Sequence, residues 1–160
     1  MRSIKNKFLF IGVLIFCVLG LTMAYFIEYF LNHAPCNLCL IERIPYMATI
    51  ILSFLILFFK KYEKIVLITI GLFFVFGTII SFYHVGIEQG FFNESLVCDF
   101  NILNNATSAE ELLKELEIKS ISCKDVNFKI FGLSLATLNT VISFGISAIM
   151  FRSSLNYEKN

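Results

Sequence analysis

The chain has 160 residues, of which 58% are hydrophobic and only 16% are charged, and its formal net charge is +1. Its apolar residues occur in runs too long for the core of a small water-soluble domain, which excludes that class and predicts one integral membrane domain over residues 1–160. The sequence contains no internal repeat, phosphate-binding glycine loop or basic patch, so we expect no nucleic-acid binding.

The first predicted span is the uncharged run 8–27. At about 1.5 Å per residue, a helix of this length crosses most of a hydrocarbon layer of roughly 30 Å. A basic head precedes it, as in a signal peptide, but Leu21–Tyr25 offers no small-x-small cleavage pattern, and we therefore expect a retained anchor. Cys17 lies in the middle of this span and is predicted to be a small buried apolar residue.

The next segment, 28–43, is predicted to be an outer loop and carries the motif Cys36-Asn-Leu-Cys39. A Cys-x-x-Cys pair can close a small disulfide ring, and neighbouring positive charge lowers the pKa of one thiol. Arg43 supplies such a charge, and the N-terminus of the following helix adds the positive end of its dipole. This pattern favours a disulfide that is made and broken over a permanent one.

The second predicted span, 44–59, has only 16 residues. We count it as a span because Lys60 and Lys61 can extend their side chains along the bilayer edge. A connection of five residues then leads to the third span, 65–83, so these two helices should pack as an antiparallel pair. His84 follows at the outer end, where it is either a helix–helix hydrogen-bond partner or a functional group.

The second outer loop, 88–129, has 42 residues, and loops of that length are usually functional or disordered. It carries Cys98 and Cys123. Residues 107–116 within it have a capping box and an apolar stripe that predict a short amphipathic helix. The fold class is therefore an all-α membrane bundle of four spans with two outward loops.

The fourth predicted span, 130–151, contains Asn139, which we expect to bond to a neighbouring helix. Basic residues set the orientation, since they concentrate on the cytoplasmic side of bacterial membrane proteins. Eight of the 13 basic residues fall on one predicted side: Arg2, Lys5, Lys7, Lys60, Lys61, Lys64, Arg152 and Lys159. Both termini are therefore predicted to be cytoplasmic, and both cysteine pairs to face an outer compartment that permits disulfides.

The four loop cysteines have three possible interpretations. A structural zinc site is disfavoured because 24 residues separate Cys98 from Cys123, so the second pair lacks a short Cys-x-x-Cys spacing. Two permanent disulfides would explain the closure of the long loop, but not a Cys-x-x-Cys motif placed against a membrane helix. An electron relay explains both pairs.

Several segments together resemble the DsbB family, the membrane thiol:quinone oxidoreductases that reoxidise a DsbA-type periplasmic thiol oxidase. The segments are Pro35–Tyr46, Tyr83–Gln89, Cys123 and Phe131–Asn139, and their order and the four spans extend the resemblance over nearly the whole chain. The resemblance implies a multi-pass protein of the bacterial inner membrane that catalyses disulfide bond formation. The chain departs from many relatives in having leucine rather than tryptophan at position 138.

The resemblance also implies a role for each site residue. Cys36 and Cys39 would form the pair coupled to a membrane quinone, either ubiquinone or menaquinone, with Cys39 nearest to it and Arg43 assisting electrostatically. His84 would border the quinone pocket.

The pair formed by Cys98 and Cys123 would face a DsbA-like oxidase of the thioredoxin fold, with Cys98 as the site of the mixed disulfide. No metal is implied. A relay with another partner or in the reductive direction, and a non-catalytic scaffold with structural disulfides, remain the alternatives.

Overall fold

The computed structural model describes residues 2–33, 35–59, 62–93, 123, 129–130 and 132–158. The helices are α1 (Arg2–Tyr29), α2 (Asn37–Glu42), α3 (Ile44–Phe58), α4 (Glu63–Glu88) and α5 (Leu135–Glu158), and two short strands, β1 (Lys129–Ile130) and β2 (Leu133–Ser134), precede α5. The predicted helix at 107–116, Cys98, Lys60 and Lys61 lie outside the described residues.

Four stretches of helix are long and apolar enough to cross a membrane, which confirms the predicted fold class. They are Lys7–Tyr29, Asn37–Phe58, Glu63–Glu88 and Leu135–Asn156. Many large apolar side chains on these helices are exposed in the isolated chain, as expected of side chains that contact lipid rather than water.

The second span begins earlier than the predicted 44–59. Helices α2 and α3 follow each other with only Arg43 between them and together give a crossing of 22 residues. The interruption has a local cause, because Pro45 has no N–H to donate to the preceding turn. The Arg43 N–H instead bonds to the Leu40 carbonyl, and the Met47 N–H resumes the helical pattern at the Arg43 carbonyl. The Cys-x-x-Cys motif therefore begins a transmembrane helix and does not lie wholly in a loop.

The fourth span begins later than the predicted 130–151. The antiparallel strands β1 and β2 pair Lys129 with Ser134, and Gly132 between them has a φ of +82°. Glycine suits that left-handed conformation because it has no Cβ. The Ser134 hydroxyl then accepts a hydrogen bond from the Thr137 N–H at 3.2 Å, which caps the first turn of α5.

Helix packing places the core between α4 and its neighbours. α4 packs most extensively against α5, and α3 packs on both α1 and α4. A Cβ on Gly71 would lie 3.2 Å from the Phe151 ring, so the absence of a side chain there allows α4 and α5 to approach closely. Cys17 is fully buried in the cluster that includes Phe10 and Phe74, as predicted.

Candidate functional site

The two thiols of the Cys-x-x-Cys motif lie at the start of α2. Cys36 is the N-cap residue, and its Sγ accepts a hydrogen bond from the Cys39 backbone N–H at 3.4 Å. This contact takes the place of the hydroxyl or carboxylate cap found at most helix starts. Both cysteines are free thiols, and their sulfur atoms lie 3.1 Å apart. Cys36 is buried, whereas Cys39 is half-buried.

His84 connects this thiol pair to α4. Its Nε2 lies 3.6 Å from Cys36 Sγ, and its Nδ1 lies 2.8 Å from Glu42 Oε1. An ionised carboxylate only accepts hydrogen bonds, so Nδ1 carries the proton and Nε2 faces the sulfur. Only 3% of the histidine surface is exposed. The carboxylate therefore fixes both the position of the ring and the nitrogen that faces Cys36.

Glu42 is held from a third helix as well. Asn139 on α5 donates from Nδ2 to Glu42 Oε2 at 2.8 Å and to Ser81 Oγ at 2.6 Å, while the Tyr46 hydroxyl donates to Asn139 Oδ1 at 2.6 Å. The expectation that Asn139 bonds to a neighbouring helix is confirmed. Because both carboxylate oxygens of Glu42 have partners, a buried acidic group is tolerated beside the thiols.

The surroundings of Cys36 favour the thiolate. The hydrogen bond from the Cys39 side chain is the largest influence and lowers the pKa of Cys36 well below its ordinary value. Burial opposes this effect, and the hydrogen bond and charge of His84 reinforce it. A thiol with such a lowered pKa is a good leaving group in disulfide exchange.

Arg43 does not contact the thiols through any hydrogen bond among the described residues. Its guanidinium bonds to Glu28 Oε2 at 2.6 Å and lies 4.9 Å from the centre of the Tyr25 ring, both on α1. The predicted positive charge is therefore present beside the motif, but it is paired with a carboxylate and directed toward the first span.

Of the second cysteine pair, the structure describes Cys123. This residue is disulfide-bonded and only 2% exposed. It belongs to the same buried cluster as Cys36, together with Leu38 on α2 and Ile87 on α4. The structure thus brings one cysteine of the long loop against the Cys-x-x-Cys helix. Cys98 lies outside the described residues.

Glu42 was not among the predicted site residues. A signal for it existed, because it lies three residues after Cys39 and this spacing places both side chains on one face of a helix. His84 and Asn139 come from helices 42 and 97 residues away from Glu42, and no sequence spacing indicated that they converge on it. The ring of His84 contacts Cys36, and its predicted place beside a quinone stays a prediction.

One comparison with known proteins shows the family of the chain. A family model described as "Disulfide bond formation protein DsbB" matches residues 6–152, which include the thiol pair, His84 and Cys123. The chain is also similar to "Uncharacterized protein RP370" of Rickettsia prowazekii (strain Madrid E), with 29% identity over 141 residues that cover 87% of this chain and 82% of that protein. No solved structure matches the chain.

Proposed function

Because the chain belongs to the DsbB family of disulfide bond formation proteins, we propose that it is a thiol:quinone oxidoreductase that reoxidises a DsbA-type thioredoxin-fold oxidase. The family supports an oxidoreductase role in disulfide formation and a multi-pass place in the inner membrane. The partner and the quinone are our proposal. We also propose that both termini are cytoplasmic and that the cysteine pairs face the periplasm, from the distribution of basic residues.

The observation that best supports this function is the packing of Cys123 beside the Cys-x-x-Cys motif. Cys36 and Cys39 are free thiols, while Cys123 is disulfide-bonded, and Cys36 and Cys123 share one buried cluster. Thiol–disulfide exchange requires direct contact between an attacking sulfur and a disulfide. A scaffold would have no need for an unpaired thiol couple beside a buried disulfide.

We propose that Cys98 and Cys123 form the second redox-active disulfide of the cycle. In the proposed cycle, the dithiol of the partner oxidase reduces this disulfide and leaves with a disulfide of its own. The Cys98 and Cys123 thiols then reduce a Cys36–Cys39 disulfide, and their own disulfide re-forms.

Re-forming the Cys36–Cys39 disulfide releases two electrons and two protons. A quinone supplies the acceptor for both when it is bound. The surroundings of Cys39 fit such a lipid-soluble group, because the neighbouring Leu40 and Ile44 are 45% and 48% exposed on a membrane-crossing helix. We propose that the Arg43 guanidinium and the His84 ring border the bound quinone.

His84 and Glu42 have a role in this cycle that follows from their contacts. The Glu42 carboxylate holds the ring so that Nε2 faces Cys36 Sγ, where a protonated ring stabilises the departing thiolate. When Cys36 gives up its proton, the nearest base is the same nitrogen. We therefore propose His84 as the group that holds this proton and Glu42 as its positioning residue.

The experiment that tests the function is thiol trapping during quinone depletion. In cells that cannot synthesise quinone, we expect Cys36 and Cys39 to accumulate as thiols and the partner oxidase to accumulate in its reduced form. Adding back a soluble quinone should restore both disulfides. If the thiol states do not respond to quinone, the protein is a scaffold. If quinone depletion makes the partner accumulate in its oxidised form, the relay runs in the reductive direction.

Arg43→Ala should weaken quinone reduction while leaving exchange between the two cysteine pairs intact. The substitution removes the guanidinium beside the motif, and we expect the KM for quinone to rise about tenfold, or roughly 1.4 kcal/mol of binding. Initial rates at several quinone concentrations measure this effect. Phe54→Ala, which removes an exposed apolar side chain of α3, is the matched control. A variant with unchanged KM and kcat would exclude Arg43 from the quinone site.

A further inference from the structure

Three atoms that can bind a metal ion, two sulfurs and one ring nitrogen, converge at the start of α2. The sulfur atoms of Cys36 and Cys39 and a ring nitrogen of His84 all lie within 4.8 Å of one another. Thiolate sulfur and imidazole nitrogen are the ligands that zinc and similar cations prefer. This set differs from a four-cysteine site, because its third ligand comes from α4 and not from the long loop.

The histidine is already arranged as a metal ligand would be. Metal-binding histidines commonly donate their second N–H to a carboxylate, which fixes the ring and leaves the other nitrogen free to bind the ion. His84 makes this contact through Nδ1 to Glu42 at 2.8 Å, and Nε2 faces Cys36. Asn139 in turn orients the carboxylate through Oε2. The fold therefore positions both the histidine ligand and the side chains that orient it.

Two of the three distances between the donor atoms are close to those around a tetrahedral ion. Zinc bonds of about 2.3 Å to sulfur and 2.0–2.1 Å to nitrogen place a sulfur and a nitrogen roughly 3.6 Å apart, and two sulfurs roughly 3.8 Å apart. Cys36 Sγ and His84 Nε2 are 3.6 Å apart, and the two sulfurs are 3.1 Å apart. Binding would move the two sulfur atoms about 0.7 Å further apart through rotation of a cysteine side chain. The Cys39 sulfur and a His84 ring nitrogen already lie within 4.8 Å of each other.

We propose that the reduced site binds one thiophilic divalent cation of the zinc class through Cys36 Sγ, Cys39 Sγ and His84 Nε2, and that the bound ion stops turnover. Binding itself follows from the three ligands, whereas the inhibition rests on the proposed function. The two thiols release their protons to solvent and the ion binds both sulfurs, so no electron is transferred. An ion held this way blocks re-formation of the Cys36–Cys39 disulfide, and one coordination position remains for water.

Cadmium alone is a suitable probe, because its bond to thiolate gives an ultraviolet charge-transfer band. The protein carries Cys98→Ala and Cys123→Ala, so that the loop thiols cannot bind, and is reduced with a phosphine that is then removed. We expect one cadmium ion per chain in this background and the same after Cys17→Ala. His84→Ala should weaken binding at least tenfold, and Glu42→Gln by about 10- to 100-fold.

Two results would overturn the site: no charge-transfer band in the reduced protein, or equal affinity after His84→Ala. His84→Gln replaces the alanine variant if the latter does not fold.

The inhibition is tested separately, in protein with all four thiols, by adding zinc to the quinone-reduction assay and then a chelator. Turnover that zinc leaves unchanged overturns the inhibition. Normal metal-free turnover without cadmium binding refutes the metal site alone, whereas cadmium binding without any turnover refutes the proposed function alone.

Discussion

Cys39→Ala should abolish steady oxidation of the partner dithiol with quinone as acceptor, with a loss of at least a hundredfold. A single remaining thiol cannot form the Cys36–Cys39 disulfide, so two electrons cannot pass from the protein to the quinone. Quinone bleaching and the oxidation state of the partner measure this loss together. Cys17→Ala is the matched control and should retain full turnover, because Cys17 is buried in the separate core cluster around Phe74.

The same variant distinguishes a relay from two independent disulfides. With Cys39 absent, Cys36 can still exchange with the disulfide of Cys123, since both belong to one buried cluster. We therefore expect a mixed disulfide between Cys36 and Cys123 to accumulate, detectable by mass spectrometry after acid trapping. Undiminished steady turnover of Cys39→Ala would contradict the proposed path for the electrons.

His84→Ala should raise the pKa of Cys36 by at least one unit. The variant keeps the largest influence, the hydrogen bond from Cys39, but loses both the hydrogen bond and the charge of the ring. The thiolate fraction below the pKa should then fall about tenfold per unit of change. Ultraviolet thiolate absorbance followed against pH, in protein with Cys98→Ala and Cys123→Ala, measures the midpoint. Phe82→Ala, an exposed position on the same helix, should leave it unchanged.

The lowered pKa of Cys36 also determines how the free energy of unfolding changes with pH. Because the pKa of Cys36 in the folded chain is below its ordinary value of 9.0, the thiolate stabilises the fold fully above that value. This contribution is lost as the pH falls toward the lowered pKa. The free energy of unfolding should therefore depend less on pH in His84→Ala than in the parent protein. If His84→Ala leaves the absorbance midpoint unchanged, the 3.6 Å contact between His84 Nε2 and Cys36 Sγ has no influence on the pKa of Cys36.

The four spans were predictable because long apolar runs have few alternatives to a membrane helix. The start of the second span was predicted too late, since Asn37, Glu42 and Arg43 interrupt its hydropathy. In the structure the Glu42 carboxylate bonds to His84 and Asn139, and Arg43 bonds to Glu28, so the polar groups are satisfied within the bundle. Hydropathy alone contains no information about such partners.

The start of the fourth span was predicted too early for the opposite reason. Residues 130–134 are apolar enough to extend the helix, but Gly132 turns the chain and β1 pairs with β2.

The Cys-x-x-Cys pair was recognisable from its spacing, whereas the convergence of Glu42 with Asn139 depends on how α2 and α5 are rotated in the bundle. The assignments of Cys98 and of the helix at 107–116 remain predictions.

The contact between Glu42 and Asn139 also has a consequence for biosynthesis. A ribosome makes the chain from its N-terminus, so the carboxylate is produced 97 residues before the amide that binds its second oxygen. Until α5 has emerged and inserted, Glu42 lacks that hydrogen bond in a low-dielectric setting, where an unmet acceptor is costly. The polar centre is therefore completed only when α5 joins the helices that precede it, and nascent chains that stop short of α5 leave this acceptor without the amide.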